Sequence, residues 1–350
     1  MILSIIILCC DKDYQMVSSL LNNIYNVWQE QHDSFLDYQV VIVDNRENEA
    51  DKDVDWHLYK GNLSIYKSGS NIMQFASRAI GTQIAKGDYI WFVDADDSII
   101  EIPRLPDKQP DMLFYKVPTM YDGYGTCISA YNNIVMEEYI NIDNSNRQQM
   151  ADLLLSDAAI VLWNRIIRRE LLIDCYKDIN LNALRDISVN EDMLLSIKLM
   201  DKCNSIGFIK QLCYKYNMST SGMGTQQIDN AAFDRIVHNY PKTIHYMYTL
   251  YNCKALSINI AKIIRVSISC MLYSICMRLP VCKNKQYAIN WLLKHWRRAT
   301  VFEILNNLHV TCYSNQEIID CSITVMNTED GNKTHDLEEI YETLNTDTVL

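Results

Sequence analysis

Residues 94–97 read Asp-Ala-Asp-Asp and close the apolar run "YIWFV", so three carboxylates, Asp94, Asp96 and Asp97, fall within four positions. Acids so crowded repel one another unless something positive sits among them. Carboxylate oxygens suit hard divalent cations such as Mg²⁺ and Mn²⁺, and Mg²⁺ typically bridges one or two carboxylates and a substrate's phosphates. Other chemistries find less support. The twelve cysteines are scattered with no C-x-x-C pair, which argues against zinc, and the seven histidines fall in no metal-ligand spacing. No G-x-G-x-x-G follows any apolar run, and no persuasive Ser-His or Cys-His pairing is present. The plain alternative for the acids is structural: polar residues must follow a buried strand, and Asp favours turns and helix caps.

The segments that must position these acids alternate. Residues 2–8 form an apolar β-type run, and "MVSSLLNNIYNVW" (16–28) repeats apolar residues at helical spacing. "YQVVIVDN" (38–45) is a continuous run rich in Val and Ile, the pattern of a parallel strand covered on both faces. A third short strand over 62–70, a helix over 73–85 and a fourth strand over 88–93 complete the pattern. Such alternation predicts an α/β doubly wound sheet with ligands beyond the carboxyl ends of its strands. Asp11 and Asp13 follow the first strand there, Asp44 and Asn45 the second, and the acid cluster the fourth.

After residue 100 the pattern is mixed: strand character over 110–122, helices in "QQMADLLLSD", "NRIIRRELLIDC" and "VNEDMLLSIKLMDKC", and a strand with its exit over 205–218. Residues 229–309 read as helical, and the tail from 317 is acidic. The stretch 258–280 is interrupted by Lys262 and Arg265, short of the ~20 apolar residues a spanning helix needs.

At 350 residues the chain exceeds one typical domain, so one α/β unit with an appended piece is expected. Its formal net charge of −11 argues against general nucleic-acid binding, which rests on clustered Lys and Arg. Any anionic ligand must therefore be held locally. Free thiols in this number suit a reducing cytosol.

The segments "SIIILCCDKD", "VVIVDN" and "ASRAIGTQIAKGDYIWFVDADD" together resemble the glycosyltransferase family 2 enzymes, which have the GT-A fold. "LWNRIIRRELL" (162–172) is similar to the family's helix beginning "WNK", "NEDMLL" (190–195) to its "ED" motif and "YKYNMSTSGM" (214–223) to its closing segment. The resemblance covers roughly residues 1–225. It implies a mostly parallel mixed sheet flanked by helices, divided into a nucleotide-sugar-binding half (1–100) and an acceptor-binding half (101–225). A helical C-terminal region (226–310) and an acidic tail (311–350) follow.

The resemblance also implies roles. Asp96 would be the direct ligand of a divalent cation, Mn²⁺ or Mg²⁺, and Asp94 a contact to the metal or the ribose. Asp97 would stand behind them or cap a helix. Asp44 would accept a hydrogen bond from a nucleobase, and Arg78 would stand near the nucleotide or brace the acid motif. Arg165, where the family often has Lys, would stabilise the leaving diphosphate. Asp192 would be the base that deprotonates an acceptor hydroxyl, with Glu191 structural because adjacent helical residues point about 100° apart. The implied reaction is inverting transfer of a sugar from a nucleotide donor, a uridine diphosphate sugar by family habit, to a glycan or lipid-linked acceptor. Cell-envelope polysaccharide synthesis is the family's commonest setting.

The chain departs from the family in three places: "CCDKD" follows the first strand, "VDNRE" replaces "VDDGS", and Ala79 replaces an Asn. Two of these changes touch the nucleobase pocket. They keep open a degenerate glycosyltransferase-like binding module as an alternative. A haloacid dehalogenase-type phosphatase also places D-x-D after an apolar strand, but near its N-terminus, whereas three strands precede the motif here. The stretch "LLKHWRRATVFEIL" (292–305) reads as a helix packed on the domain, and is also compatible with peripheral membrane contact or a subunit interface.

Overall fold

Four apolar runs build the half of the sheet that carries the acids: β1 (Ile2–Cys9), β2 (Asp37–Asp44), β3 (Leu63–Lys67) and β4 (Tyr89–Val93). The computed structural model describes residues 1–10, 14–31, 35, 37–46, 62–117, 120–121, 127–128, 139–155, 161–177, 179, 187, 191–217, 230–261, 263–264 and 284. These strands are parallel, in the order β3-β2-β1-β4. The runs of β1, β2 and β4 are continuous because both their faces are covered: every residue of β4 is buried, as are seven of the eight in β2. β3 lies at the sheet's edge and keeps Ile65 and Tyr66 exposed.

Helices α1 (Tyr14–Glu30) and α2 (Met73–Ile84) provide the crossovers. Gly81 lets α2 lie close, since a Cβ there would come within 2.7 Å of Ile6 Cγ2. Gly87 allows the tight entry into β4, where a Cβ would stand 2.6 Å from the Ser4 nitrogen. A buried polar ladder crosses the strands beneath it. Ser4 Oγ donates to Gln39 Oε1, Gln39 Nε2 donates to Ser64 Oγ, and the Gly87 N–H donates to Ser4 Oγ, each at 2.9 Å. Every member is bonded, so the ladder fixes register without leaving an orphaned group.

The rest of the chain extends the sheet with β6 (Met112–Lys116), β9 (Tyr139–Asn141), β10 (Arg165–Arg168) and β11 (Ser205–Leu212). The full order is β3-β2-β1-β4-β10-β6-β11-β9, with β10 antiparallel to both its neighbours and β9 antiparallel to β11. This is the GT-A arrangement of a mostly parallel mixed sheet flanked by helices. Two short pairs stand apart: β5 (Ser98–Ile99) with β12 (Tyr214–Lys215), and β7 (Met120–Tyr121) with β8 (Cys127–Ile128). Helices α3 (Arg147–Leu153), α4 (Arg169–Lys177) and α5 (Glu191–Lys202) complete this part.

The stretch "NRIIRRELLIDC" differs from its helical reading. Its first half is strand β10, inserted between β4 and β6, and only from Arg169 does it turn into α4. Ile166 and Ile167 are fully buried there, as β-branched residues in a central strand should be.

Residues Met1–Ser219 and Leu256–Asn259 form one compact unit, and Thr220–Ala255 with Ile260–Leu350 another. In the second, α6 (Asn230–Asn252) agrees with the helical spacing. The stretch 292–305, the tail 311–350 and the acids Asp11 and Asp13 lie outside the described residues. Among the described residues no helix is long and apolar enough to cross a membrane.

Candidate active site

β1 lies between β2 and β4, so the strand order reverses direction at β1, and the crevice beyond the carboxyl ends of β1 and β4 is the natural ligand site. The acid turn emerges from β4 at that point. Its three carboxylates meet different surroundings, and Asp97 still feels the charge of the other two.

Asp94 faces α2, where its Oδ1 stands 3.7 Å from Arg78 Nη2. Arg78 is buried, and its Nη1 reaches Asp192 Oδ1 at 2.5 Å and Glu191 Oε1 at 3.2 Å. One guanidinium therefore gathers the acid turn and the first turn of α5. Burial works against the charge of Arg78, but Asp192, then Glu191 and Asp94 outweigh it and hold its pKa above the ordinary value. Burial, then Asp192, push the Glu191 carboxyl upward against the pull of Arg78. Of the adjacent pair, Asp192 keeps 21% of its side chain exposed and Glu191 7%.

Asp97 turns inward. Tyr214 donates its hydroxyl to Asp97 Oδ2 at 2.5 Å, and the Asn217 N–H donates to Oδ1 at 2.7 Å. Burial nonetheless raises the carboxyl to about 8, with Asp94 and Asp96 adding to the rise. Its partners are themselves braced: Trp163 stacks on Tyr214 at 5.1 Å and on Tyr216 at 5.4 Å. Asp97 caps no helix, because β5 follows it directly. The closing segment 214–223 contains Tyr214 and Asn217, but nothing in the sequence pairs them with Asp97, more than a hundred positions away.

Asp96 is exposed and lines a cleft of about 400 Å³ with Met16, Leu20, Asn23, Ser98 and Asn217. Asp94 and Asp96 belong to one turn, and both are reached by solvent. Among the described residues no group of three or more His, Cys, Asp or Glu is placed to hold a metal by itself. Two accessible carboxylates fit a hard cation that takes its remaining ligands from a phosphate-bearing substrate and water.

Asp44 and Arg165 have other partners among the described residues. Asp44 is gripped by Arg46, with Nε on Oδ1 at 2.8 Å and Nη2 on Oδ2 at 2.7 Å. Its pKa is lowered: burial opposes the charge, and the bonds from Arg46 prevail. Arg165 is wholly buried within β10, donating through Nη2 to Ser196 Oγ at 2.6 Å with its guanidinium carbon 5.3 Å from the Phe114 ring centre. A strand covered on both faces leaves that side chain no path to a diphosphate, so the expected role for Arg165 is not supported by its position.

Residues 4–172 match the sequence family described as glycosyl transferase family 2. The chain carries a family 2 glycosyltransferase domain. Comparison with curated proteins gives no match. Among solved structures, TarS of S. aureus aligns with 14% identity and a TM-score of 0.51, over 99% of this chain and 55% of that one. A TarS 1-349 structure in complex with UDP-GlcNAc aligns with 16% identity and a TM-score of 0.49, over 88% of this chain and 80% of that one. The mannosyltransferase PcManGT from Pyrobaculum calidifontis, in complex with GDP-Man and Mn2+, aligns with 11% identity and a TM-score of 0.46, over 94% and 88%. This chain spans about half the length of the first TarS structure. At 14% identity the likeness to the first TarS structure speaks to the fold alone. The family 2 domain contains Asp44, Arg78 and the whole acid turn, while Asp192 lies beyond its matched range.

Proposed function

We propose that the chain is a metal-dependent, inverting glycosyltransferase that moves a sugar from a nucleoside-diphosphate donor to a hydroxyl of a glycan or lipid-linked acceptor. The family 2 domain supports the donor class. The observation that carries the mechanism is the buried guanidinium of Arg78, which joins Asp94 of the acid turn to Asp192 of α5.

Asp96 and Asp94 would hold Mn²⁺ or Mg²⁺ together with the donor's diphosphate. The bound ion would supply positive charge to a departing diphosphate. Asp192 would act as the general base: its partly exposed carboxylate takes the proton of the acceptor hydroxyl as that oxygen bonds to the anomeric carbon and the bond to the diphosphate breaks. Attack from the face opposite the leaving group inverts the configuration. Arg78 fixes the direction of the Asp192 carboxylate, and Glu191, buried below it, holds the guanidinium in place. A uridine diphosphate sugar is the first donor to try, and cell-surface polysaccharide assembly the setting proposed with it.

The experiment is a thermal-shift panel of nucleoside diphosphates and nucleotide-sugars, with and without Mn²⁺, on wild type and Asp96→Ala. A ligand that binds only the folded chain raises its apparent stability. A shift that requires metal and disappears in Asp96→Ala is expected. Absence of any shift on folded protein would sink this reading in favour of a binding module without nucleotide.

A further inference from the structure

A phenol stands beside the charged cluster with nothing to bond. Tyr176 lies in the last turn of α4, which packs against α2 and α5, the two helices that supply Arg78 and the Glu191–Asp192 pair. Its ring meets Phe75 of α2 edge-on, with centres 5.8 Å apart, and Phe75 sits one helical turn before Arg78. The hydroxyl is buried and has no hydrogen-bond partner among the described residues. Burial raises its pKa, so it keeps its proton, and the charges of Arg78, Asp192 and Glu191 all bear on it.

Packing explains the ring but not the hydroxyl. Phenylalanine would fill the same place and spare the cost of burying an unpaired polar group. Buried polar atoms are almost always paired, so this one points to an arrangement of the cluster in which it has a partner. In the free protein the carboxylates of α5 do not need it, because Arg78 Nη1 serves both Asp192 and Glu191. The same guanidinium also faces Asp94 of the acid turn. A diphosphate arriving beside Asp94 competes for that guanidinium, and as Arg78 turns toward it the pair on α5 loses a donor. Tyr176 carries an unused one.

We propose, resting on the reading of Asp192 as the base, that Tyr176 is a positioning residue whose hydroxyl donates to the Glu191–Asp192 pair once the donor's diphosphate engages Arg78. It keeps the base aimed at the acceptor hydroxyl. The phenol touches no ligand and moves no proton, and it acts only through the two carboxylates.

The test compares Tyr176→Phe with wild type, as full chains, in three measurements: urea unfolding of the free protein, calorimetric titration with UDP and GDP in Mn²⁺, and release of nucleoside diphosphate from the best donor. The variant should unfold at an equal or higher urea midpoint, because it loses a buried group that bonds nothing. Its nucleotide affinity should stay within about twofold of wild type while turnover falls about tenfold, the worth of one hydrogen bond to a charged group. A residue that only packs would not separate these readouts. In the Asp192→Asn background the same substitution should change the residual turnover by less than about twofold, since the carboxylate it positions is gone. A lower urea midpoint would show that the hydroxyl is already bonded in the free protein, and unchanged turnover would show that it is idle. Either overturns the proposal, as does a loss of nucleotide affinity matching the loss of turnover, or a tenfold loss that persists in the Asp192→Asn background. If no nucleotide binds, or if Asp192→Asn itself leaves turnover near that of wild type, the reading of the site falls and this inference with it. A large loss in Asp192→Asn beside none in Tyr176→Phe removes this inference alone.

Discussion

The two flanks of the acid turn solve the same electrostatic problem by opposite means. On the α2 side, Asp94, Glu191 and Asp192 surround Arg78, and their charge is met by another charge. On the β12 side, Asp97 has no cation in hydrogen-bonding contact among the described residues and is held by a phenol and a backbone N–H, with burial raising its carboxyl to about 8. The first flank gathers its carboxylates around one guanidinium and leaves Asp94 and Asp192 within reach of solvent. The second gives up a charge to fix the turn. Four carboxylates and one arginine thus coexist because the acids are unequal, and the inequality separates groups that can do chemistry from one that holds the backbone.

The sharpest way to break this division is Asp192→Asn. If the charged flank is the working one, this change lowers turnover about 10²–10⁴-fold while leaving metal-dependent nucleotide binding intact. Release of nucleoside diphosphate from the best donor, with titration of the same nucleotide, measures both. Turnover within a few-fold of wild type would remove Asp192 from the chemistry.

Arg78→Met comes next. Removing the guanidinium leaves Glu191 and Asp192 without the cation that bonds them, and breaking a buried ion pair from one side typically costs about 3–5 kcal/mol. Urea unfolding at neutral pH should show a loss of that size, with much of it recovered in Arg78→Met combined with Glu191→Gln. A loss under about 1 kcal/mol would mean that water already screens the cluster.

These flanks were unequally legible in the sequence. The parallel strands and α2 stand out because both faces of β1, β2 and β4 are buried, so their apolar runs are unbroken. The crowding of Asp94, Asp96 and Asp97 announces a site, and the family motif singles out Arg78 and Asp192. What no local pattern shows is who answers each charge. Tyr214 and Asn217 reach Asp97 only because β12 pairs with β5, placing Tyr214 opposite Ile99. Strand β10 was misread for a related reason: four residues are too few to establish a period of two, and α4 follows without a turn residue to mark the change. The role expected for Arg165 came from the family motif, which says nothing of burial, and here the central strand buries the side chain. The Arg46 grip on Asp44 lies two residues along the chain, and "DNR" does contain it, but whether such a pair closes on itself or opens to a ligand is decided by burial.

The neutral flank is tested by pH. In the unfolded chain Asp97 ionises near 3.8, and in the folded chain it stays protonated up to about 8. Between those values the folded state binds the extra proton, so this group's contribution is most favourable below about pH 4, declines as pH rises, and levels off above about 8. Asp97→Asn cannot ionise and lacks that decline. Urea titrations of both proteins in chelator, from pH 4.5 to 8.5, should diverge by about 4 kcal/mol, the wild type falling relative to the variant. Parallel curves would show that Asp97 is ionised when folded and that both flanks are ionic.

The smallest expected effect is that of Tyr214→Phe. It removes the hydroxyl that donates to Asp97 Oδ2, and which also accepts the Asp94 N–H at 3.2 Å, but it keeps the ring stacked on Trp163. Asp97 retains the Asn217 N–H, and the packing that excludes water is unchanged. Two lost hydrogen bonds in a buried site cost about 2 kcal/mol, so the variant should fold, bind nucleotide with metal, and unfold at a modestly lower urea midpoint. A cost approaching that of Arg78→Met would mean that the hydroxyl, and not the aromatic stack, sets the position of the turn. The contrast would then lie between one charged anchor and one polar anchor, rather than between a charged flank and a packed one.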